Sequence, residues 1–148
     1  LVLRRQRQMC IRDRFKIYLL NMNNVLFVCV ENACRSQLAE SITNAKFGDY
    51  LIAFSAGSNP AKEINPKAIK SLERKGITLR NKRPKHVLAF EGQDFDYCVT
   101  MGCGDACPAF LSAKTIDWNI PDPKHMNEFD FDQIRDLIEQ KIIEDLIR

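Results

Sequence analysis

The 148-residue sequence predicts an α/β fold, a four-stranded parallel sheet covered by helices. Three observations carry that expectation. Runs with strand character alternate with runs of helical periodicity. The first run, Val25-Leu26-Phe27-Val28, is apolar at every position, as a strand buried on both faces must be. It ends in Cys29, a short loop follows, and then a helix. A thiol thus falls at the carboxyl end of a strand, where parallel sheets bind their ligands.

The elements follow in order. Asn24–Cys29 reads as the central strand. Ser36–Phe47 reads as a helix with Leu38, Ala39, Ile42 and Ala45 on one face and Gly48 as its stop. Tyr50–Ser55 is a second strand, ended by Gly57 and Pro60. Asn65-Pro66 opens a helix with proline at the first helical position; Ile69 and Leu72 face inward and Gly76 ends it. Phe95–Thr100 and Thr115–Trp118 are the third and fourth strands. Asp130 is the expected cap of the last helix, with Gln133 three residues on. The inward face of that helix is Phe131, Ile134, Ile138 and Ile142, with Leu137 beside it.

Composition excludes several classes. Hydrophobic residues make up 45% and charged residues 28%, the balance of a globular domain with a sizeable core. No apolar run approaches the ~20 residues of a membrane span. The net charge of +3 is unevenly placed: residues 1–21 hold six basic residues and Asp13, a net of +5, which leaves −2 on the remainder. The remainder offers no electrostatic case for nucleic acid. Ile17–Leu20 is too short for a secretory core of about 7–15 residues. MCIRDR, Met9 to Arg14, resembles translated sequencing-adapter sequence. The expectation is therefore a non-native or disordered leader over residues 1–21 and a single domain over residues 22–148, with translation starting at Met22.

The chemistry concentrates in VLFVCVENACRSQLAE, Val25 to Glu40. Successive backbone N–H groups in a strand-to-helix loop converge on one point and form an anion nest. Val30, Glu31, Asn32, Ala33, Cys34 and Arg35 would line it, and the Arg35 guanidinium adds a planar fork for two oxygens of a tetrahedral oxyanion. Ser36 can donate to the Cys29 sulfur or cap the helix, and Asn32 can pin the loop and tolerate left-handed dihedrals. An ordinary cysteine of pKa ~8.5 is about 3% ionised at pH 7. The nest, the helix N-terminus and Arg35 are expected to lower that pKa toward ~6, worth about 3.4 kcal/mol of differential stabilisation. Nucleophilic attack on a phosphate-like anion is the chemistry these residues describe.

The chain has six cysteines: Cys10, Cys29, Cys34, Cys98, Cys103 and Cys107. Without a secretion signal they point to redox or metal chemistry rather than structural disulfides. Cys103 and Cys107 lie in MGCGDACP after the third strand, in a loop that parallel topology brings toward Cys29. Gly102 and Gly104 give that loop the mobility thiol exchange needs. Cys34 reads as a buried thiol or a protective partner for Cys29, and Cys98 as core. Asp122, stiffened between two prolines in IPDP, is a candidate proton donor or merely a turn residue. His86 and His125 have no partner spacing and read as surface residues; Trp118 reads as packing beside the acid loop.

VCVENACRSQLAE, FSAGSNPA (Phe54–Ala61), INPKAI (Ile64–Ile69), YCVTMGCGDACP (Tyr97–Pro108) and DWNIPDP (Asp117–Pro123), in that order, resemble the thioredoxin-coupled arsenate reductases built on the low-molecular-weight phosphatase fold. The resemblance runs from about Asn23 to the C-terminus. It implies three layers, with helices on both faces of the sheet. It implies Cys29 as nucleophile, Arg35 and Ser36 as its supports, Asp122 as general acid, and a disulfide cascade through Cys29, Cys103 and Cys107. No cofactor or metal would be bound; electrons would come from thioredoxin, glutaredoxin or a low-molecular-weight thiol. The protein would be a cytoplasmic monomer with no membrane or nucleic-acid partner.

Two alternatives stand beside it. A low-molecular-weight protein tyrosine phosphatase would use Cys29, Arg35 and Asp122 but would want an aromatic wall after the acid, where this chain has Lys124, His125 and Met126. A non-catalytic redox or zinc module would draw on Cys29, Cys34, Cys103 and Cys107, although their spacings are not those of a two-residue zinc knuckle. Glu31 stands where the phosphatases usually carry glycine, and its carboxylate would oppose an anion unless it points outward.

Overall fold

The computed structural model describes residues 22–80, 82–102 and 114–147. The leader, Cys103, Cys107 and the rest of their loop lie outside the described residues. Four strands form one parallel sheet in the order β2-β1-β3-β4: β1 (Asn23–Cys29), β2 (Leu51–Gly57), β3 (Tyr97–Thr100) and β4 (Lys114–Asp117). Among the described residues three α-helices accompany it: α1 (Arg35–Lys46), α2 (Pro66–Glu73) and α3 (Glu128–Leu146). The α/β class and the parallel sheet are as predicted.

The central strand is buried on both faces, which is why its sequence is continuously apolar rather than alternating. Val25, Phe27 and Cys29 face α1, α2 and α3, whose Leu38, Ile42, Leu72, Phe131, Ile138 and Ile142 complete the main core. Leu26 and Val28 face the other way, toward Phe90, Phe95 and Cys98. There Phe54, Phe90 and Phe95 meet edge-to-face at 5.7–5.8 Å, and a 3-10 turn, Val87–Phe90, covers them. Cys98 is buried, as read from the sequence.

Local signals hold at most ends. Asn65 caps α2, its Oδ1 accepting from Lys67 N at 2.9 Å, with Pro66 at the first position. Gly76 adopts φ +75° after α2, and the Ile77 N–H returns to Leu72 O at 3.0 Å, the closing bond of a left-handed stop. Two expectations are corrected. Asn127, not Asp130, caps α3: its Oδ1 accepts from Asp130 N at 2.8 Å, so the helix starts one turn earlier. Ala45 is exposed, and Gln37 and Glu40 are buried instead, Gln37 donating to Asn32 Oδ1 at 3.0 Å and Glu40 accepting from Ser55 Oγ of β2 at 2.6 Å.

Gly57 ends β2 opposite Cys29 in the register. A Cβ there would lie 2.5 Å from Val30 O and 3.0 Å from Asn32 N, both backbone atoms of the Cys29 loop. Gly57→Ala is therefore expected to lose about 1–3 kcal/mol, read as a lower urea midpoint at unchanged slope.

Candidate active site

The loop from Cys29 to Cys34 is shaped by where its carbonyls go. Val30 O accepts from Asn59 N at 2.8 Å, Glu31 O from Ala61 N at 2.9 Å and Ala33 O from Asn65 N at 3.1 Å. Three carbonyls thus bond outward to the segment after β2. A trans peptide directs the next residue's N–H opposite to the carbonyl, so the amides of Glu31, Asn32 and Cys34 turn inward. The Asn32 N–H reaches Cys29 Sγ at 3.2 Å. Asn32 takes φ +52°, the left-handed backbone that bends the loop back on itself.

A relay of side chains supports the sulfur. Asn32 Oδ1 accepts from Gln37 Nε2 at 3.0 Å and from Lys85 N at 2.9 Å. Asn32 Nδ2 donates to Ser36 Oγ at 2.7 Å, and Ser36 Oγ lies 2.8 Å from Cys29 Sγ. Because Asn32 already donates to the hydroxyl oxygen, the Ser36 proton is free to point at the sulfur. Of the two roles open to Ser36, the structure uses the first: the N-cap position of α1 is Cys34, with no side-chain cap bond. Gln37 and Lys85 were missed by sequence reasoning. Gln37 sits inside the CRSQLAE stretch, so a signal existed; Lys85 acts through its backbone and left none.

Arg35 is 4% exposed. Its Nη1 donates to Met101 O at 3.1 Å and Ile120 O at 2.9 Å, which ties the loops after β3 and β4 to the start of α1. Its Nη2 lies 4.0 Å from Asp122 Oδ2. The sequence assigns the guanidinium to the anion and the thiolate; its Nη1 is spent on the backbone. The Asp122 side chain is 53% exposed, and its Oδ1 accepts from Lys124 N at 3.1 Å, a turn bond that orients the carboxyl. Glu31 answers the charge problem posed by the sequence: Lys124 Nζ lies 3.1 and 3.3 Å from its two carboxylate oxygens. That pairing holds the ammonium above its ordinary value. Trp118 is buried beside this loop, stacked near Phe27 at 5.6 Å with its Nε1 donating to Asp145 Oδ2 at 2.8 Å, the packing role read for it.

Cys29, Val30, Glu31, Ala33, Cys34, Arg35 and Asp122 line one cavity of about 210 Å³. Its size suits a small tetrahedral anion. The thiol inside departs from expectation. Burial pushes Cys29 up, and it outweighs the Ser36 hydroxyl, the Ser36 and Asn32 amides and the Arg35 charge, which all pull it down. The donors for a thiolate are in place, but desolvation of the buried sulfur is larger. Cys34 is pushed up to about 11, first by burial and then by the negative charges around it. It is a neutral thiol at pH 7, with roughly a hundredfold less thiolate than an ordinary cysteine. Residue-resolved alkylation at pH 7 should leave Cys34 unlabelled while an exposed model thiol is consumed, with labelling rising only above about pH 10. Among the described residues no group of three or more His, Cys, Asp or Glu side chains could hold a metal ion. His86 is exposed, and its Nδ1 accepts from Leu88 N at 3.0 Å, a cap rather than a ligand.

A parallel sheet that spends its first strand-to-helix loop on a buried thiol, inward amides and an arginine defines an enzyme class: those that attack tetrahedral oxyanions through cysteine. The chain belongs to the low molecular weight phosphotyrosine protein phosphatase family, whose profile matches residues 24–147. An arsenate reductase of Halalkalibacterium halodurans is 32% identical over 133 residues, covering 83% of this chain and 94% of that protein. The glutaredoxin arsenate reductase of Synechocystis is 30% identical over 124 residues, covering 82% and 94%. A solved arsenate reductase in a phosphate-binding state superposes with a TM-score of 0.75 at 26% identity, over 83% of this chain and 95% of that one. The thioredoxin-dependent arsenate reductase of Corynebacterium glutamicum gives 0.66 at 33% identity, over 83% and 59%.

Proposed function

We propose that this protein reduces arsenate to arsenite. The observation that carries the reading is the Cys29 sulfur, held at 2.8 Å by Ser36 and 3.2 Å by the Asn32 amide, in one small cavity with Arg35 and Asp122. The relatives named above support it.

Arsenate binds to the inward amides and to Arg35. On binding, the arsenate dianion takes the Cys29 proton. The thiolate attacks arsenic, an S–As bond forms and an As–OH bond breaks. Asp122 gives that hydroxide a proton and it leaves as water. Cys103 then attacks the Cys29 sulfur. An S–S bond forms, the S–As bond breaks, and arsenic keeps the electron pair, passing from As(V) to As(III). With the Cys103 proton and one from solvent it departs as arsenous acid. Cys107 displaces Cys29 from Cys103, which leaves a Cys103–Cys107 disulfide for a dithiol reductant, thioredoxin or glutaredoxin. Two thiols lose the two electrons that arsenic gains.

No helix among the described residues is long and apolar enough to cross a membrane, and the cycle needs reduced thiols. We infer a cytoplasmic location from that need for reduced thiols, and propose that the enzyme acts as a monomer. The test couples it to thioredoxin, thioredoxin reductase and NADPH. Arsenate-dependent NADPH loss that disappears in Cys103→Ser and Cys107→Ser supports the cascade. Turnover of an aryl phosphate insensitive to Cys103→Ser, with no arsenate response, would assign the chain to the phosphatase branch.

A further inference from the structure

We propose that Glu31 and Lys124 form a charge latch: the oxyanion site is fit to hold its ligand only while Lys124, from the acid loop, neutralises Glu31 in the nest loop. This rests on the oxyanion-binding reading above and adds two positioning residues to it. Glu31 lines the cavity, so its carboxylate is the one negative charge built into the loop that must hold an anion. Lys124 Nζ meets both of its oxygens, at 3.1 and 3.3 Å.

The same lysine is two residues past Asp122. Its backbone N–H orients the Asp122 carboxyl at 3.1 Å, and that carboxyl lies 4.0 Å from Arg35. The acid loop therefore touches the anion loop through two charge pairs, and Lys67 Nζ of α2 steadies it from behind at Met126 O, 2.9 Å. Glu31 and Lys124 are both close to half exposed, so their bond can open and close without disturbing the core. As a bridge such a pair stabilises little. Its weight lies in what it hides. With the latch closed, the anion meets Arg35 and the amides, and Asp122 is in place. With it open, a bare carboxylate faces the anion and the acid loop is loose. Ligand retention and placement of the proton donor are thus one event.

The test compares wild type, Glu31→Gln, Lys124→Met and the double variant, with thermal midpoints as a check on folding. Protection of Cys29 from alkylation, by phosphate in the intact chain and by arsenate in a Cys103→Ser background where no disulfide can follow, gives the dissociation constants. Lys124→Met should weaken both oxyanions tenfold or more, Glu31→Gln should change them threefold or less, and the double variant should return to within threefold of wild type. That recovery is a readout a merely structural lysine would not produce. A double variant as weak as Lys124→Met, or a Lys124→Met variant as tight as wild type, overturns the latch while leaving the oxyanion site intact. If neither oxyanion protects wild type, the site reading itself fails and the latch fails with it.

Discussion

Cys29→Ser is expected to abolish arsenate-dependent turnover, by at least ~10⁴-fold in kcat, while the protein stays folded. Among the described residues two free thiols line the cavity, and Cys29 is the one that Ser36 and the Asn32 amide hold, whereas Cys34 is pushed up to about 11 and stays neutral. A serine oxygen can bond to arsenic poorly and cannot yield it to a second thiol at all, because no disulfide can follow. Folding should survive, since a serine hydroxyl in the same place inherits the Ser36 and Asn32 hydrogen bonds at 2.8 and 3.2 Å. The change in stability should stay within about 1 kcal/mol. Stopped turnover with an unshifted urea midpoint is the expected pair of readings. A variant that still reduces arsenate at a tenth of the wild-type rate would remove Cys29 from the mechanism.

Arg35→Lys carries the second largest effect, and it should strike binding and stability together. The guanidinium holds Met101 O and Ile120 O with one nitrogen and leaves the rest of its fork toward Asp122 and the cavity. A lysine ammonium is a point donor and cannot span two loop carbonyls and an anion at once. Two buried carbonyls lose a charged partner, worth about 2–3 kcal/mol. The remaining cation no longer presents a planar pair of donors, so KM for arsenate should rise about a hundredfold, with kcat also reduced. The arginine is buried with only a half-exposed carboxylate 4.0 Å away. Its charge is therefore under-compensated until an anion arrives, which is a direct source of oxyanion affinity. Isothermal binding of phosphate to the variant separates the affinity loss from the kinetic one.

Cys29 also has a defined pH behaviour. Its pKa is raised in the unliganded fold, so the thiolate is scarce at neutrality and grows as pH rises past the ordinary thiol range. Ser36→Ala removes the largest opposing influence and should move the alkylation midpoint further up. A midpoint that falls on this substitution would show that Ser36 accepts from the thiol rather than donating to it.

Much of this was legible in the residues. The unbroken apolar run of β1 signalled burial on both faces, and Pro66 and Gly76 marked the ends of α2 where the backbone required them. Asn32 was read as a loop pin with left-handed backbone, and it is one. The end of α1 was less legible. Helical periodicity assigns a face from the helix alone, and Ala45 lies on the assigned face yet meets solvent, while polar Gln37 and Glu40 are buried with side-chain partners at Asn32 and at Ser55 of β2. The cap of α3 was missed for a similar reason: Asn127 and Asp130 are both good caps, and only the backbone decides which one is used.

The sequence by itself determined the sheet, the position of Cys29 at the end of its first strand, and the family to which that loop belongs. Those are matters of periodicity and of residues close together in the chain. Only the tertiary structure decided how the charges are spent. Arg35 divides itself between two distant carbonyls and the cavity. Glu31 is silenced by a lysine 93 positions away. Desolvation of the buried Cys29 sulfur outweighs the donors around it. Each of these depends on distances between parts of the chain far apart in sequence and on the exclusion of water, neither of which any local pattern records.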